Sequence, residues 1–347
     1  MKAAVVHALN DLRIEEVPEP ALLDDSVMIR VEACAICGTD LRIYRRGDKR
    51  AKLPQVIGHE TAGIIEAAGP LVKGLKVGDR VTVAPGISCG SCRSCQRGYQ
   101  NLCENMISIG YAWPGGFAQY HVPPGKAITE GFVNKIPDGV SYEDASLAEI
   151  IACCINGQER VGINEGDTVV VIGAGPAGCV HVELARARGA GKIILANRSP
   201  GRLEAARKFS ADVFVNAGQE DLVARVFQET DGWGADVVIV ACASKEAQAQ
   251  AVQMVAKRGR ISFFGGLAHS DSLNTLDANI VHYRECIITG ASSSTGRGNR
   301  EALELIASGK IDTRKLITHV IPLDQIEEGF RLMESREGMK VVVKPWV

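Results

Sequence analysis

The spacing of apolar residues along the 347-residue chain predicts two kinds of structure. Up to about residue 148, short β-rich runs alternate with turns of proline, glycine and aspartate, as in an antiparallel β domain. The clearest predicted strands of this part are 27–31, 63–67 and 80–84. From Asp167 onward, apolar runs of strand length alternate with helical segments, which is the pattern of parallel βαβ units.

The second part contains five clear strands and one weaker one, at 168–172, 193–196, 213–215, 237–241, 261–264 and 286–289. Their unbroken valine and isoleucine content suits a sheet that is buried on both faces. Three helices are predicted between them: 177–188, one that begins at a capping Ser199 and Pro200, and 247–257, which ends before Gly259. Beyond residue 290 the pattern predicts helices at 300–307 and 323–334 and a last strand at 340–344.

We therefore predict an α/β plus β chain of two domains. A β domain covers residues 1–148 and is completed by the tail 291–347, which is too short to fold alone. A doubly wound parallel sheet covers residues 149–290. The apolar N-terminal residues are interrupted at His7, so they predict a first strand and not a signal peptide.

The composition excludes several classes of function. A formal net charge of −2 gives no field that favours nucleic acid or an anionic membrane. No uncharged apolar run is long enough to span a bilayer. Eleven cysteines without an export signal point to metal binding and to the cytoplasm.

Four cysteines follow the spacing Cys89-x2-Cys92-x2-Cys95-x7-Cys103. Two-residue gaps let neighbouring thiolates turn toward one point, and the last loop returns a fourth, which is the form of a structural zinc site. The alternatives are paired disulfides, which a reducing cytosol disfavours, and an iron–sulfur cluster. An iron–sulfur run more often has proline after its last cysteine, where this chain has Glu104.

A glycine-rich turn, Gly173-Ala174-Gly175-Pro176-Ala177-Gly178, joins the predicted strand 168–172 to a helix. The first glycine allows the tight turn, the second lets the backbone approach a pyrophosphate, and the third lets helix and strand pack closely. In this context the motif predicts a dinucleotide site, and the alternative is a glycine turn without a ligand.

The end of the second strand distinguishes NAD from NADP, because NAD sites carry an acid there for the adenosine ribose. This chain has Asn197 and Arg198 at that position, and Arg202 one helical turn later. Either arginine could bind a 2′-phosphate bidentately, and Asn197 removes the charge that would repel it. We therefore predict NADP in preference to NAD. The alternative is a solvated arginine, with Asn197 still bonding a ribose.

A second metal-type cluster consists of Cys37-Gly38-Thr39-Asp40 and His59-Glu60. Cysteine, histidine and a carboxylate are the usual protein ligands of an open zinc site, whose fourth position takes a substrate oxygen. Asp40 could accept a hydrogen bond from the ring nitrogen of His59 that does not bind metal. A further acid, Glu149, ends the first domain. Alone, His59-Glu60 could be a surface dipeptide, but the order of all these motifs argues against coincidence.

In these motifs the chain resembles the zinc-dependent medium-chain dehydrogenase/reductase family, in the branch of sorbitol (L-iditol) and threonine dehydrogenases. The resemblance covers the whole length and implies a GroES-like β-barrel catalytic domain, a Rossmann domain and an active site between them. It implies two zinc ions, a catalytic one at Cys37, His59, Glu60 and Glu149 and a structural one at the four-cysteine run. Whether Glu60 or Glu149 binds the catalytic zinc directly stays open. A homodimer or homotetramer is also implied.

The implied reaction is hydride transfer between a secondary alcohol, such as a polyol, and NAD(P), with zinc as the Lewis acid on the alcohol oxygen. The resemblance assigns to Thr39 a hydrogen bond to the reacting oxygen. Two positions depart from the family pattern. Arg42 stands where relatives often have histidine, and Ile150 stands where proline commonly follows the equivalent of Glu149.

Other functions remain as alternatives. Within the class they are a threonine-type, a simple alcohol and a phosphorylated-polyol dehydrogenase. A catalytically silent nicotinamide-binding protein would lack the metal ligands that this chain keeps. A zinc-ribbon nucleic-acid binder would need a basic face with aromatic residues around the cysteines, and Arg93 and Arg97 alone are too few.

Six basic residues lie among the eleven from Arg42 to Lys52, which we name the basic segment. It joins two catalytic-site motifs, so part of it could face the substrate. A basic rim would favour a phosphorylated polyol or a sugar acid, since arginine binds phosphate bidentately. Charge runs are usually solvated loops, so composition favours a neutral polyol or secondary alcohol over an anionic one.

Overall fold

Antiparallel strands come first along the chain, and parallel strands separated by helices follow them. The computed structural model describes residues 1–347, except for the side chain of His269. The chain divides into two units: unit 1 comprises Met1–Ala152 and Ser293–Val347, and unit 2 comprises Cys153–Ser292. Within the described chain, no helix is long and apolar enough to cross a membrane.

The described residues form eighteen strands: β1 (Lys2–Ala8), β2 (Asp11–Glu16), β3 (Val27–Ala35), β4 (Gln55–Val56), β5 (Glu60–Ala68), β6 (Arg80–Val83), β7 (Gly86–Ile87), β8 (Ile107–Ser108), β9 (Tyr120–His121), β10 (Val133–Lys135), β11 (Thr168–Ile172), β12 (Lys192–Asn197), β13 (Val213–Asn216), β14 (Ala235–Val240), β15 (Val255–Phe263), β16 (Ile287–Gly290), β17 (Ile317–Pro322) and β18 (Lys340–Lys344). The α-helices are α1 (Gly38–Arg46), α2 (Arg93–Gln96), α3 (Lys126–Thr129), α4 (Tyr142–Ser146), α5 (Ala148–Val161), α6 (Pro176–Ala187), α7 (Pro200–Ala206), α8 (Leu222–Glu229), α9 (Lys245–Met254), α10 (Ala278–Tyr283), α11 (Gly296–Ala307) and α12 (Ile326–Glu334). Short 3-10 helices cover Gln100–Leu102, His269–Asp271, Thr313–Lys315 and Leu323–Gln325.

Unit 1 is built around a seven-stranded sheet in the order β10-β6-β5-β3-β18-β17, with β9 also paired to β3. Its pairs are antiparallel except that of β17 with β18. A three-stranded sheet, β2-β1-β4, and the pair β7-β8 complete the β structure. Alternate residues of β3, Val27, Ile29 and Val31, are fully buried, which explains why the sequence pattern predicts a strand there.

The C-terminal tail is part of the core of unit 1. Strand β18 pairs with β3 in antiparallel register, with Val342 opposite Ala35. This register brings Lys340 to the level of Cys37, which lies just beyond the end of β3. Helix α12 adds the fully buried Phe330 to the same core.

Unit 2 contains a six-stranded sheet in the order β13-β12-β11-β14-β15-β16, with every pair parallel. Numbered along the chain, this is the order 3-2-1-4-5-6 of a doubly wound sheet, as the sequence pattern predicts. Consecutive residues of β11, Val169, Val170 and Val171, are all fully buried, as expected for a sheet covered on both faces.

The predicted helix 247–257 is wrong at its end, because α9 ends at Met254 and β15 begins at Val255. Gly259 is not a helix stop; it lies in an irregular stretch of β15, where the register with β14 shifts. The preceding Arg258 has a φ of +58°, and a Cβ on Gly259 would overlap the side chain of Val255. Glycine at this position therefore marks a bulge in a strand.

Candidate active site

Cys37, His59 and Glu60 meet at the adjoining ends of β3 and β5, two interior strands of the large sheet of unit 1. Cys37 lies between β3 and α1, and His59 directly precedes Glu60 at the start of β5. Because Glu60 pairs with Ala35 of β3, the three residues come from adjoining strand ends. Their ligand atoms all lie within 4.8 Å of one another, with His59 and Glu60 buried and Cys37 half-buried.

Asp40 orients two of these residues. One of its carboxylate oxygens accepts a hydrogen bond from the backbone N–H of Cys37 at 2.9 Å, and the other lies 3.1 Å from Nδ1 of His59. Burial alone would lower the pKa of His59, but the charges of Asp40 and then Cys37 outweigh it and raise this pKa well above its usual value. With Nδ1 engaged by Asp40, Nε2 of His59 is the nitrogen left for a metal.

Tyr111 lies beside Thr39 and His59, although no sequence motif marks it. Its side chain is close enough to that of Thr39 to influence the pKa of the tyrosine, and its ring centroid is 6.4 Å from that of His59. Burial raises the pKa of Tyr111 above its ordinary value, so its hydroxyl is a neutral donor and acceptor at pH 7. Tyr111 comes from an irregular segment, and only the fold brings it to this site.

Lys340 is a second site residue without a motif. Its ammonium contacts both carboxylate oxygens of Glu60 and donates to the carbonyl oxygen of Ile36 at 3.3 Å. Burial alone would lower the pKa of Lys340, but the charge of Glu60 outweighs it and raises this pKa. The sequence signal is a lysine directly before three valines in a strand, since a buried lysine needs a charged partner.

Glu149 lies near this ion pair but outside the converging set. It is buried in the first turn of α5, and its charge acts on both Glu60 and Lys340. Burial raises the pKa of Glu60, Lys340 opposes the rise, and Glu149 adds to it. In the part of the chain that the structure describes, the acid that converges with Cys37 and His59 is Glu60 and not Glu149.

The sulfur atoms of Cys89, Cys92, Cys95 and Cys103 converge in a separate loop of unit 1, within 4.8 Å of one another. The backbone N–H of Cys92 donates to Sγ of Cys89 at 3.3 Å. The sulfurs of Cys92 and Cys95 are 3.4 Å apart, whereas a disulfide would need about 2.05 Å, so these are separate thiols. Backbone hydrogen bonds, first that of Ser91, lower the pKa of Cys89 to about 5, which favours its thiolate, whereas burial raises the pKa of Cys103 to about 12.

In unit 2 the glycine turn joins β11 to α6. Gly173 has a φ of +119°, which side chains rarely allow, and a Cβ on Gly178 would overlap the carbonyl oxygen of Gly173. A Cβ on Gly175 would meet nothing within 4 Å, so the space over this residue is open. Pro176 occupies the first turn of α6, whose free N–H groups suit an anion.

The residues predicted to read the adenosine ribose lie at the end of β12 and just beyond it. The amide oxygen of Asn197 accepts a hydrogen bond from the backbone N–H of Ala174 in the glycine turn at 3.3 Å. Its amide nitrogen donates to the carbonyl oxygen of Ser199 at 3.2 Å. The side chain of Arg198 is 72% exposed and lies 3.6 Å from Glu246. Arg202 lies in α7. Ser199 is the N-cap residue of α7 and Pro200 follows it in the first turn, as predicted, but the serine hydroxyl accepts no capping hydrogen bond.

Two family models match the chain. The alcohol dehydrogenase GroES-like domain matches residues 23–138 in unit 1, and the zinc-binding dehydrogenase model matches residues 176–308, mostly in unit 2.

Individual proteins match over nearly the whole chain. Sorbitol dehydrogenase of Bacillus subtilis (strain 168) is 35% identical over 355 residues, which cover 99% of this chain and 97% of that protein. L-threonine 3-dehydrogenase of Pyrococcus abyssi is 35% identical over 335 residues, covering 94% and 92%. A crystal structure described as a zinc-binding dehydrogenase of Sinorhizobium meliloti 1021 bound to NADP is 31% identical, with a TM-score of 0.92 and 99% coverage of both chains. The similarity therefore extends over both units and not over a single motif.

Proposed function

Because the chain belongs to the zinc-binding dehydrogenase family, we propose that it transfers a hydride between a secondary alcohol of the polyol class and a nicotinamide cofactor. The predicted family and the predicted combination of a GroES-like part with a Rossmann sheet are confirmed by the two family models. The proposal depends on one observation above all, the convergence of Cys37, His59 and Glu60 beside the buried Asp40. The similarity to sorbitol dehydrogenase favours a polyol.

The donor set at this site fits a zinc ion. Thiolate, imidazole and carboxylate are usual zinc donors, and bonds of about 2.0–2.3 Å keep atoms on one zinc within about 4.6 Å of one another. The donor atoms of Cys37, His59 and Glu60 lie within 4.8 Å of one another, so small side-chain movements would bring them onto one ion. We propose that these three residues would hold the metal and that Glu149 is a neighbouring acid. When bound, zinc polarises the alcohol oxygen and the nicotinamide accepts the hydride.

The remaining residues of the site position these groups and move a proton. Asp40 fixes the ring of His59 and the backbone at Cys37. Thr39, two residues past Cys37, would hydrogen-bond the reacting oxygen. The hydroxyl of Tyr111 lies near Thr39 and would offer the proton a route outward through two hydroxyl groups.

We propose that the glycine turn of unit 2 binds the cofactor and that NADP is preferred. The open space over Gly175 and the N-terminus of α6 suit a pyrophosphate. The amide of Asn197 does not repel a 2′-phosphate, and the exposed Arg198 could bind one, with Arg202 on the next helix. Glu246 competes for Arg198, so the expected preference is moderate.

We propose a second, structural zinc at the four sulfurs of Cys89, Cys92, Cys95 and Cys103. Four thiolates leave no open coordination position, so this metal would contribute to stability only. The segment from Cys89 to Cys103, which we name the cysteine lobe, contains helix α2 and the 3-10 helix Gln100–Leu102. Neither helix has a buried residue, so the cysteine lobe has little apolar core of its own. Thiolate-rich sites favour a reducing compartment, and we propose the cytoplasm.

We also propose a homodimer or homotetramer that forms through the parallel sheet. Strand β16 lies at the edge of that sheet, and Ile287 on it is 56% exposed. An exposed apolar edge strand is a hazard for aggregation unless another chain pairs with it. Molecular mass in solution tests this point directly.

The test of function is a turnover screen of the zinc-loaded protein with sorbitol, xylitol, L-threonine and primary alcohols, each with NAD and with NADP. Polyol oxidation that is lost in Cys37→Ala while the fold is retained would support the proposal. Oxidation of L-threonine alone, or of primary alcohols alone, would assign the neighbouring classes instead. A protein with both zinc ions that reduces neither cofactor with any of these alcohols would contradict it.

A further inference from the structure

The basic segment is held against the candidate active site by Tyr111. The backbone N–H of Lys52 and the side chain of Gln55 both donate to the carbonyl oxygen of Tyr111, each at 3.3 Å. The guanidinium of Arg50 lies over the Tyr111 ring, 4.4 Å from its centroid. Arg42 donates to the Tyr111 hydroxyl at 3.4 Å. The segment is therefore anchored on the site, unlike the solvated loop that a charge run usually indicates.

Asp48 holds the two arginines side by side. Its Oδ2 accepts a hydrogen bond from Nη2 of Arg50 at 3.0 Å and forms an ion pair with Nη2 of Arg42 at 3.1 Å. The hydrogen bond from Arg50, opposed by burial, lowers the pKa of Asp48 to about 2, so the carboxylate stays ionised. One carboxylate between two guanidiniums leaves an excess of positive charge. Each guanidinium has five N–H donors, and the side chains are about half exposed, 47% for Arg42 and 54% for Arg50, so donors remain for a ligand.

Tyr111 connects these arginines to the reacting atoms. Its side chain lies near that of Thr39, and its ring lies beside that of His59. Tyr111 therefore lies near Thr39 and is hydrogen-bonded to Arg42. A substrate whose alcohol oxygen is held at Thr39 would bring an anionic group a few bonds away within reach of the guanidiniums.

We propose that Arg42, Arg50 and Tyr111 form a subsite for an oxyanion of the substrate, so that the preferred substrate is a polyol or sugar that carries a phosphate or a carboxylate. The inference rests on the proposed function, because Thr39 locates the reacting oxygen. Arginine pairs bidentately with both kinds of oxyanion, and the half-buried ring of Tyr111 covers one face of the Arg50 guanidinium. Composition alone favours a neutral polyol, but it contains no information on the contacts with Tyr111.

The test compares sorbitol with sorbitol 6-phosphate, and with gluconate to separate the two oxyanions, at low ionic strength. For the zinc-loaded protein we expect kcat/KM to be about tenfold to hundredfold higher for an anionic member, the size of one or two charge-assisted contacts. High salt should reduce this ratio. Arg42→Gln and Arg50→Gln should each reduce it about tenfold or more. Lys49→Gln, an exposed charge of the same segment, should retain it.

Inorganic phosphate gives a readout without turnover. Calorimetric titration in the presence of saturating NADPH keeps the phosphate sites of the cofactor occupied. The wild-type protein and Lys49→Gln should bind phosphate, and Arg42→Gln should bind it about tenfold more weakly.

A preference for either the phosphate or the carboxylate would support the subsite and identify the oxyanion. Equal kcat/KM for neutral and anionic members would overturn it while leaving the proposed function intact. A loss in Arg42→Gln that is equal for both members would also overturn it, because it indicates a structural role. If no alcohol is oxidised, the proposed function fails, and the phosphate titration still decides: equal affinity in wild type and Arg42→Gln rejects the subsite.

Discussion

Lys340 and Glu60 form an ion pair in the interior of unit 1, with side chains that are 1% and 0% exposed. The pair joins the last strand of the chain to the start of β5, directly beside Cys37 and His59. Removing two charges from water costs several kcal/mol per ion, so each of these groups requires the other. The C-terminal strand thereby becomes part of the candidate metal centre.

Lys340→Met should lower the free energy of unfolding of the metal-free protein at pH 7 by about 3–5 kcal/mol, because it leaves the Glu60 carboxylate buried without a partner. Lys344→Met is the matched control on the same strand. Its partner Glu143 is only partly buried, so the loss there should be about 1 kcal/mol or less. Combining Lys340→Met with Glu60→Gln should recover part of the loss. Chemical denaturation measures both losses. Equal losses in the two lysine variants would show that the buried pair of Lys340 and Glu60 contributes no more to stability than the partly exposed pair.

Elemental analysis should find two zinc ions per chain. Cys37→Ala should leave one zinc and the fold but no turnover, because the three-residue donor set loses its thiolate. Cys95→Ala should reduce thermal stability first, since the cysteine lobe has little apolar core. Cys286→Ala lies in neither cluster and should keep both ions. A wild-type protein with a single zinc would refute the assignment of two sites.

Local patterns predicted much of the fold. The strands 168–172 and 340–344 have the predicted bounds, because short valine runs between turns are complete signals in themselves. Bounds that depend on tertiary pairing were missed. Strand β3 continues to Ala35, four residues beyond the predicted end, because its last residues pair with β5 and β18. Helix α11 begins at Gly296, where Thr295 caps it, and not near residue 300.

The residues of the candidate site divide in the same way, into those that a local motif predicts and those that only tertiary contacts bring to the site. Cysteines and histidines at characteristic spacings can be recognised in the sequence, so the residues of both metal-type clusters were predictable as candidates. Tyr111 and Lys340 reach the cluster from distant positions, and neither belongs to a motif. Their contribution follows from strand pairing and side-chain contacts, which a single sequence does not specify. The same holds for Glu149, whose place outside the converging set depends on where α5 begins.

Substitutions at two glycines of the cofactor turn should distinguish an effect on stability from an effect on cofactor affinity. Gly178→Ala should destabilise unit 2 by about 1–3 kcal/mol, because the added methyl group overlaps the carbonyl of Gly173. Gly175→Ala meets open space and should change stability by about 0.5 kcal/mol or less, yet weaken cofactor binding about tenfold by obstructing the pyrophosphate. Denaturation curves and fluorescence titration with NADPH provide the two measurements. Unchanged cofactor affinity in Gly175→Ala would place the pyrophosphate elsewhere.

Stability should fall below pH 6.5 because two histidines are buried without charge. Burial lowers the pKa of His121 to about 4 and that of His181 to about 3, whereas histidine in the unfolded chain titrates near 6.5. The unfolded state therefore binds more protons between about pH 6.5 and 4, and each histidine should cost about 1.4 kcal/mol of stability per pH unit as the pH falls.

Neither ring nitrogen of His121 has a hydrogen-bond partner among the described residues, so His121→Phe should remove its share of this slope. His282→Asn, at an exposed position, controls for the loss of a histidine. Urea denaturation at several pH values measures both slopes. A slope in His121→Phe as steep as that of wild type would mean that His121 does not titrate with unfolding.

The cofactor preference should respond to Asn197, Arg198 and Glu246 in opposite directions. Asn197→Asp combined with Arg198→Gln should shift the ratio of kcat/KM from NADP toward NAD by about tenfold to hundredfold. The new carboxylate would accept hydrogen bonds from the ribose hydroxyls and repel a 2′-phosphate, and the second substitution removes the arginine that would bind this phosphate. Asn197→Asp also loses the hydrogen bond donated to Ser199, so Arg198→Gln alone is the control for damage to the loop. Glu246→Gln releases Arg198 from its partner at 3.6 Å and should increase the NADP preference, by a few-fold at most since both groups are exposed. The measurement is the ratio of kcat/KM for NADP and NAD in the wild-type protein and in each variant. If the wild-type protein prefers NAD and Glu246→Gln leaves this preference unchanged, Arg198 does not bind a 2′-phosphate.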